Sequence, residues 1–487
     1  MPTDDGPYPP TRIHLRSLTE DVLVETTESG RLRVLTRWGE LVLDEVSAAV
    51  RAALERLSMG PTAVHNIEPA GAGDRAELAR IVGSLGGSVV HTLDVDDGHG
   101  PLASVVPLTE HASFRLAEVD ADRPLRLSRF VSVRVGHGGL VLESAVGPFQ
   151  VVLHRTLACQ VVVALGWPTS IAGLAGELGV APGLVADLAA YLVAAGVVQV
   201  GEGAATEPVP SIVGDRRPAS GVVFGEDIEP ALSRWTHHEL MFHARTRVGR
   251  DHTASGRPAG DREPPPVTRS APAGPRFPLF RPDEAELSRN DPALTRLIET
   301  ERVCPEPSDR PLDARQLGEL LYRAARVRSV TPADGTTHAT SSRPYLSIAD
   351  RYELELYLSI DRCAGLPRGS YHYDPAAHAL TLVNDSAADL DALLDDAKAV
   401  AGHAEQPATL ITVTARAERL LWLMRGTGYS VALMHLGALQ QTLDLVATAT
   451  GLAACPLALD TSDTTNRALR LDWPAEVGIG ECIVGHR

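Results

Sequence analysis

Lysine is almost absent from this chain. Only Lys398 among its 45 basic residues is a lysine, and 62 acidic residues give the chain a formal net charge of −17. A protein with this charge repels the phosphate backbone of nucleic acids unless a local basic patch overrides it. Nucleic acid is therefore not an expected partner. Any reaction that needs a lysine side chain could use only Lys398.

The chain also lacks cysteine pairs, a signal region and long apolar runs. Its five cysteines are far apart in sequence and form no C-x-x-C pair, which predicts neither a zinc site nor a disulfide framework. The N-terminus is acidic and contains proline, unlike a secretory signal, and no run is apolar enough to span a bilayer. These absences predict a cytoplasmic protein with no membrane association.

A histidine-containing run, 235–243, invites comparison with zinc proteases. The zinc motif needs two histidines four residues apart on one helical face, whereas His238 and His243 are five apart. This spacing leads us to expect no metal site.

The sequence also contains no Gly-rich phosphate loop of the standard patterns.

The length and composition predict several globular domains. A chain of 487 residues with 44% hydrophobic and 22% charged residues exceeds one ordinary core and has ample apolar surface to bury. Composition and periodicity suggest four segments. These are a winged-helix-like module at 1–124, a second such module at 125–205, a linker at 206–281 with a docking helix at 231–248, and a domain at 282–487.

Residues 20–93 and 128–200 share one pattern of a strand pair, helices and a closing strand. In the first copy the predicted strands are 22–26, 32–35 and 89–93, and the helices are 43–57 and 75–85. In the second copy the predicted strands are 130–135, 140–143 and 197–200, and the helices are 158–165, 169–178 and 184–195. This order outlines a winged helix.

Most winged helices bind DNA, so that use has to be weighed first. The second helix of the predicted pair is Pro182 to Tyr191, and it carries no arginine that could contact phosphate. Together with the acidic composition, this favours a peptide-binding or architectural module.

After residue 202 the predicted structure alternates between linkers and a helix, and it becomes regular beyond residue 282. Stretches 202–228 and 250–280 are rich in proline and glycine and predict linkers, while 235–247 between them predicts a helix offering Trp235, Leu240 and Phe242 for docking. Beyond 282 the pattern predicts helices at 317–325, 387–400 and 431–450 and strands at 354–360, 376–383 and 410–414. Helix 431–450 is apolar nearly all round, which indicates a buried element or a dimer seam.

Several strings in the C-terminal half resemble the azoline dehydrogenases of the SagB/ThcOx/McbC type. They are Gly365-Leu-Pro-Arg-Gly-Ser-Tyr-His-Tyr-Asp-Pro375, Leu317-Gly-Glu-Leu-Leu-Tyr-Arg-Ala-Ala-Arg326, Tyr352-Glu-Leu-Glu-Leu-Tyr357, 235–247 and 437–456, in the order and spacing of that family. The resemblance extends more weakly into 125–200. It implies an α+β, nitroreductase-like FMN-binding fold for the C-terminal domain.

The resemblance also implies a function. The family uses FMN to oxidise thiazolines and oxazolines of a ribosomally made precursor peptide to azoles, with a lysine-tyrosine pair near the flavin moving the proton. Members with winged-helix-like modules resemble proteins that recognise a leader peptide. The expected partners are thus a precursor peptide and, because such flavin sites lie at a dimer seam, a second subunit.

The chain departs from the family pattern at three places. The phosphate-binding Arg-Arg-Ser-x-Arg appears as 301–305, where Arg302 is the surviving arginine. The Ser-Gly-Gly-Ala-Leu-Tyr loop appears as 347–352, with both glycines lost and Ser347 and Tyr352 kept. The lysine-tyrosine pair falls on Leu423 and Met424, neither of which moves a proton.

Three hypotheses follow from this pattern. The chain could be a degenerate subunit working with an active paralogue, as a heterodimer or homodimer. It could instead be an FMN-dependent dehydrogenase by itself, with Arg302, Ser347 and Tyr352 as cofactor contacts and another base such as His435. His435 lies on an apolar helix, however, where a hydrogen-bonded core histidine is the ordinary expectation. Lastly, the chain could be a flavin-free scaffold that binds a leader peptide.

Overall fold

The computed structural model describes residues 12–28, 30–203, 222–246, 265–306, 310–334, 338–422, 424, 426–458 and 463–487. The chain divides into two compact units, which we call unit 1 (residues 1–252) and unit 2 (residues 253–487). Each unit contains a seven-stranded antiparallel sheet and helices that share a hydrophobic core with it. The predicted α+β class is confirmed.

Unit 1 is built on a sheet with strand order β5-β1-β6-β7-β11-β10-β9. Its strands are β1 (Arg12–Leu18), β2 (Leu23–Thr26), β3 (Leu32–Thr36), β4 (Gly39–Leu43), β5 (Thr62–Ala63), β6 (Val89–Val95), β7 (Ala103–Pro107), β8 (Leu125–Leu127), β9 (Val131–Gly136), β10 (Gly139–Ser144), β11 (Phe149–Leu153) and β12 (Val198–Val200). Strands β2, β3 and β4 form a separate sheet, and β8 pairs with β12.

The helices of unit 1 begin and end largely where their capping residues predict. They are α1 (Ala48–Met59), α2 (Val64–Ile67), α3 (Ala72–Ser84), α4 (Thr156–Ala164), α5 (Ile171–Leu178), α6 (Pro182–Ala194), α7 (Gly225–Ile228) and α8 (His237–Arg245), with a 3₁₀ turn at Gly86–Ser88. Ser170 caps α5 and Gly179 ends it in a left-handed conformation, as the predicted break requires. The predicted helix 43–57 is wrong at its start, because Leu43 ends strand β4 and Ser47 caps α1.

The two predicted modules of unit 1 are joined by one sheet. Strand β7, from the first predicted module, pairs with β11 of the second in the register Phe149↔Pro107. The closing strand β6 of the first copy also belongs to this sheet and does not pair with β2 and β3. The boundary predicted at residue 124 therefore falls inside a continuous structure, because pairing between distant strands leaves no local trace in sequence.

The sheet of unit 2 has the strand order β13-β18-β17-β16-β19-β21-β20. Its strands are β13 (Arg276–Pro278), β16 (Leu354–Ile360), β17 (Gly369–Asp374), β18 (Ala379–Asn384), β19 (Thr409–Arg416), β20 (Leu452–Leu457) and β21 (Glu476–His486), and a separate pair is formed by β14 (Ser329–Thr331) and β15 (Thr340–Ser342). The helices are α9 (Glu284–Asn290), α10 (Leu294–Glu299), α11 (Ala314–Ala325), α12 (Ala387–Ala401), α13 (Ala417–Leu421), α14 (Gly428–Ala449) and α15 (Asp463–Leu469). A capping box of Asp313 and Gln316 opens α11, three residues before the predicted start of this helix.

The two faces of this sheet pack against different helices. Along the central strand β16, Leu354, Leu356 and Leu358 share a core with α11 and α14. Tyr357, which points the other way, shares a second core with α12 and α15. The position of any side chain in β16 thus decides which helices it meets.

Residues 265–281, predicted as linker, belong instead to unit 2. Strand β13 pairs with β18 at the edge of the sheet. The carbonyl oxygens of Pro265 and Pro266 accept hydrogen bonds from Arg419 and Arg416. Most of the rest of the predicted linker lies outside the described residues. Proline-rich composition marks an irregular backbone, but it does not reveal whether that backbone is packed.

Candidate functional site

The loop 347–352 immediately precedes strand β16 and is held in shape by Ser347. Its hydroxyl oxygen accepts hydrogen bonds from the backbone N–H groups of Arg351 (3.1 Å) and Tyr352 (3.2 Å). Ala349, Asp350 and Tyr352 all have left-handed backbones, with φ values of 56°, 52° and 43°. Ala349 stands where the resembling family has its second glycine. The turn thus keeps a glycine-type conformation without the glycine, at a cost of about 1–2 kcal/mol.

Tyr352 turns its phenol into the protein. The residue is buried, and its hydroxyl donates to the backbone oxygens of Arg343 (3.3 Å) and Tyr345 (3.1 Å). The side chain predicted to contact a cofactor is therefore committed to the interior of unit 2. Any contact between Tyr352 and a bound molecule would have to come from its backbone.

His435 lies on α14 and uses both ring nitrogens within the protein. Its Nε2 accepts a hydrogen bond from the backbone N–H of Ile348 at 2.7 Å. The ring proton must therefore lie on Nδ1, which donates to the Glu353 carboxylate at 2.8 Å. Both side chains are fully buried. The structure supports the core-histidine interpretation, and His435 has no free nitrogen with which to accept a proton from a substrate.

Arg302 is an exposed residue whose charge is already paired. Its side chain is 71% exposed and forms an ion pair with Asp444 of α14 at 3.0 Å. It also donates to the Gln441 side chain at 2.9 Å. A carboxylate bound to the guanidinium competes directly with any phosphate.

The two positions predicted for the lysine-tyrosine pair carry no proton-transfer group, and the chain's lysine lies elsewhere. Leu423 lies outside the described residues. Met424 packs against the core beneath α14 and donates its backbone N–H to the Leu420 oxygen at 3.1 Å. Lys398 belongs to α12, which packs on the opposite face of the sheet from α14.

A buried polar row on the α12 face of the sheet was missed by the sequence analysis. Glu355 of β16 accepts a hydrogen bond from His372 of β17 at 3.0 Å and forms an ion pair with Arg416 of β19, also at 3.0 Å. Burial acts to raise the pKa of Glu355, but the hydrogen bond from His372 and the charges of Arg416 and Arg343 outweigh it and lower that pKa. The signal was present in β16, where Glu355, Tyr357 and Ser359 occupy every second position.

A second carboxylate continues this row. Glu476 of β21 accepts hydrogen bonds from Thr414 (2.5 Å) and the Tyr357 hydroxyl (3.3 Å) and forms an ion pair with Arg269. Arg269 comes from the segment predicted as linker. These contacts fix that segment to the sheet through a partly buried charge pair.

Glu481 is the exception in the row. It lies opposite Thr412 on the neighbouring strand and is fully buried, and neither carboxylate oxygen has a hydrogen-bond partner among the described residues. Burial raises the pKa of Glu481 to about 8. A carboxyl group in this state is protonated at neutral pH.

Two cysteines that are distant in sequence meet beside strand β20. The Cys304 thiol is hydrogen-bonded to Cys455, and both thiols are free. Burial, reinforced by this neighbour, raises the pKa of Cys304 to about 12, so the thiol is a weak nucleophile. Across the described residues, no group of three or more histidine, cysteine or acidic side chains is placed to hold a metal ion.

In unit 1, residues 222–246 are anchored on the second predicted module by buried charge. The Glu226 carboxylate accepts hydrogen bonds from the Ser128 hydroxyl (2.6 Å), the Arg129 backbone N–H (2.8 Å) and the Arg126 side chain (2.9 Å). Arg245 of α8 pairs with the buried Glu143 at 3.1 Å. These contacts join residues about a hundred positions apart in sequence.

Helix α8 docks as the sequence predicts, although through a different set of side chains. A capping box of Thr236 and Glu239 opens the helix. Leu240 and Ala244 pack with Phe130, whereas Trp235 and Phe242 remain about two-fifths exposed. Helix α6, the second helix of the predicted winged-helix pair, pairs its only charged side chain, Asp187, with Arg12 at 2.9 Å.

One family model matches this anchored region. Residues 125–252 match the model of the cyanobactin oxidase ThcOx. The match begins at β8 and ends just beyond α8, so it covers the segments that Glu226 and Glu143 hold together. It supports the resemblance stated from sequence over these residues and stops before unit 2.

Solved structures with similarity to the chain include nitroreductase-type proteins. One from Anabaena variabilis is 18% identical over 50% of this chain, with a TM-score of 0.39, and the chain spans 45% of its length. One from Ralstonia eutropha is 19% identical over 48% of this chain and 98% of its own, with a TM-score of 0.34. The E. coli microcin synthetase McbBCD complex with truncated pro-MccB17 is 21% identical over 43% of this chain and 84% of that one, with a TM-score of 0.32. No curated protein sequence matches the chain.

Proposed function

We propose that this chain is a subunit of a thiazole- or oxazole-forming dehydrogenase that acts on a ribosomally made precursor peptide, and that it works with a catalytically active paralogue. Two observations support the assignment to azole formation. Residues 125–252 match the ThcOx family model, and the sequence strings of unit 2 resemble the same family in order and spacing. The state of the predicted site in unit 2 supports the dependence on a partner.

The residues at the predicted flavin site of unit 2 do not fit the phosphate and ring of FMN. Arg302, the surviving arginine of the predicted phosphate site, is neutralised by Asp444. The loop 347–352 carries the side chain of Ile348 where the family has a glycine that admits the flavin ring. The Tyr352 phenol is turned inward. A flavin bound at this site by this chain alone would lack both charge neutralisation and close backbone approach.

At the predicted site, this chain also offers no general base that could remove a proton from an azoline. Forming the aromatic ring requires an acceptor for the proton that accompanies the departing hydride. Met424 has no titratable group, and both nitrogens of His435 are occupied. Lys398 lies on a helix on the other face of the sheet. We therefore assign the chemistry to the partner subunit.

An apolar surface beside the loop provides a place for that partner. Helix α14 exposes Leu433 and Met434, and the loop next to it exposes Leu346 and Ile348. The hydrogen bond from Ile348 to His435 holds this loop against the helix, so both exposed segments lie at the same part of unit 2. Exposed apolar residues grouped in this way are typical of a protein interface. We propose that an active paralogue docks here, in agreement with the dimer seam expected for helix 431–450.

Recognition of the precursor peptide is assigned to unit 1. A groove of about 360 Å³ lies between α6 and the chain at 116–119, with His14 and Tyr191 in its wall. It combines the apolar Leu116 with the charged Asp187, a lining suited to an extended peptide with mixed side chains.

Two alternatives make different predictions. A self-sufficient dehydrogenase binds FMN and oxidises azolines alone, and a flavin-free scaffold binds leader peptide but no dehydrogenase. The discriminating experiment is co-purification of this chain with flavin-loaded dehydrogenases of the same biosynthetic cluster, using Met434→Asp as the variant. We expect a stable complex that the variant disrupts, and a failure of the wild-type chain to bind any of them would refute the partner proposal.

The peptide assignment needs its own experiment. Titration of a fluorescently labelled leader peptide from that cluster should show binding at tens of micromolar or tighter, about −6 kcal/mol. Asp187→Arg, which reverses a charge in the groove, should weaken binding, while Glu177→Arg on the exposed side of α5 should not. Equal affinities for the two variants would place the peptide elsewhere.

A further inference from the structure

A cleft in unit 2 concentrates positive charge in an acidic protein. It has a volume of about 490 Å³ and lies between the end of α11, the start of β14 and the turn from β17 to β18. Its charged lining consists of Arg281, Arg326 and Arg328 against one acid, Glu284, an excess of two positive charges when His378 is neutral. The whole chain carries a net charge of −17, so this is a local reversal. Neither the predicted flavin site nor the apolar surface of α14 includes these residues.

Two of the three arginines have no acidic partner. Within the described residues, neither Arg281 nor Arg328 forms an ion pair, and Arg281 donates only to the backbone oxygen of Ala377 at 2.7 Å. Arginines elsewhere in unit 2 are commonly paired, as Arg323 is with Asp291 and Arg368 with Asp361. The cleft therefore has unused capacity to bind an anion.

The third arginine is fixed in position and has a removable counterion. Arg326 donates to the Tyr322 backbone oxygen at 3.0 Å and lies over the Tyr322 ring at 4.3 Å. Its other terminal nitrogen contacts Glu284 at 2.5 Å, but the Glu284 side chain is 63% exposed. An exposed glutamate can turn toward solvent at little cost when a stronger anion takes its place.

The back wall of the cleft is rigid and uncharged. His378 is buried, and its nitrogens contact the Phe280 backbone oxygen (2.8 Å) and the Tyr373 hydroxyl (2.9 Å). Burial lowers the pKa of His378, which keeps the ring neutral. The positive charge of the cleft therefore comes from arginine alone and persists across the physiological pH range.

We propose that this cleft binds the phosphate group of a small phosphate monoester. Guanidinium groups present paired donors that match the oxygens of a phosphate, and the cleft keeps an excess of two positive charges even with Glu284 in place. Glu284 occupies part of the site and competes with the ligand. The proposal does not depend on the assignment to azole formation, because it rests on the charges and contacts of the cleft and not on the family resemblance.

Calorimetric titration of the full-length chain with phenyl phosphate, and separately with inorganic phosphate, tests the proposal. Arg328→Gln should weaken binding by about tenfold or more because it removes a charge-assisted contact. Glu284→Gln should strengthen binding several-fold because it removes the competitor. The matched controls are Arg289→Gln and Glu286→Gln, which change the same charges on helix α9 outside the cleft and should leave the affinity unchanged.

The two variants Arg328→Gln and Glu284→Gln should change the affinity in opposite directions. This result distinguishes a specific site from general electrostatic attraction of the anion. If Arg289→Gln weakens binding as much as Arg328→Gln, or if Glu284→Gln weakens it, the proposal is wrong. Absence of binding of either probe at millimolar concentration would also overturn it. Tighter binding of phenyl phosphate than of inorganic phosphate supports a monoester ligand, whereas the reverse order refutes the monoester and leaves free phosphate as the occupant.

Discussion

Units 1 and 2 use buried carboxylates in different ways. In unit 1, the buried Glu143 and Glu226 each bind an arginine from a distant segment, and both serve to hold residues 222–246 on the sheet. In unit 2, Glu353, Glu355 and Glu476 are also partnered, but Glu481 lies buried with no partner among the described residues. The first pattern stabilises an assembly of segments. The second pairs carboxylates within one domain and leaves one buried carboxyl group without a partner among the described residues.

Unit 2 also satisfies its polar groups internally around the loop 347–352. A catalytic site holds its polar groups ready for a ligand. Here the groups that could meet a ligand, Tyr352, His435 and Arg302, find protein partners instead. Each satisfied group adds to the stability of unit 2 and removes one contact from any cofactor.

The largest expected effect comes from breaking the Glu353–His435 pair. His435→Leu leaves the fully buried Glu353 carboxylate without its partner, and we expect unit 2 to lose about 3–5 kcal/mol of unfolding free energy. Denaturant unfolding followed by circular dichroism measures this loss, with the exposed Asp396→Asn as the control. A loss below about 1 kcal/mol would show that the pair is not a structural element.

Breaking the anchor of unit 1 should have a slightly smaller effect. Glu226→Ala leaves the Ser128 hydroxyl and the Arg129 backbone N–H without their acceptor, at a cost of about 3 kcal/mol. We also expect faster amide exchange in residues 222–246, detected by mass spectrometry. The exposed Glu177→Ala serves as the control. Unchanged exchange in that segment would contradict the anchoring role.

The unpaired Glu481 should make stability depend on pH. Its pKa of about 8 in the folded protein lies above its ordinary value of 4.5, so between these values the unfolded chain releases a proton that the folded chain retains. The stability that Glu481 contributes is complete below pH 4.5 and is lost as pH rises through 8, with a slope of up to about 1.4 kcal/mol per pH unit. Glu481→Gln should flatten the curve and the exposed Glu405→Gln should not. An identical slope in Glu481→Gln would refute this origin.

The smallest expected effect concerns the backbone of the loop. Ala349→Gly relieves a left-handed alanine and should raise the unfolding free energy by about 1 kcal/mol. The same substitution at Ala399, on the exposed side of α12, should lower it by about 1 kcal/mol. Thermal unfolding of the two variants provides the comparison, and a decrease for both would show that Ala349 is not strained.

Local sequence patterns predicted many of the longer helices but fewer than half of the strands, and they did not predict how the elements join. Helix α11 was predicted from its apolar period, and β9 and β10 were predicted as a strand pair. Strands β1, β7, β11, β17, β20 and β21 were among those missed. The pairing of β7 with β11, which merges the two predicted modules, depends on contacts between distant residues that no local period encodes.

The candidate site was predictable in part. The family resemblance pointed to 347–352 and 301–305, but side-chain identity does not show that the Tyr352 phenol faces inward or that Asp444 neutralises Arg302. His435 and Glu353 are 82 positions apart, so their pairing has no spacing signal. The meeting of Cys304 with Cys455 is hidden for the same reason.

Flavin content and azoline turnover of the isolated chain test the central claim most directly. The purified protein should be colourless, should bind added FMN weakly in a fluorescence titration, and should leave a synthetic azoline peptide unchanged until an active dehydrogenase of the cluster is added. A yellow protein with one tightly bound FMN per chain that aromatises the azoline by itself would contradict the account.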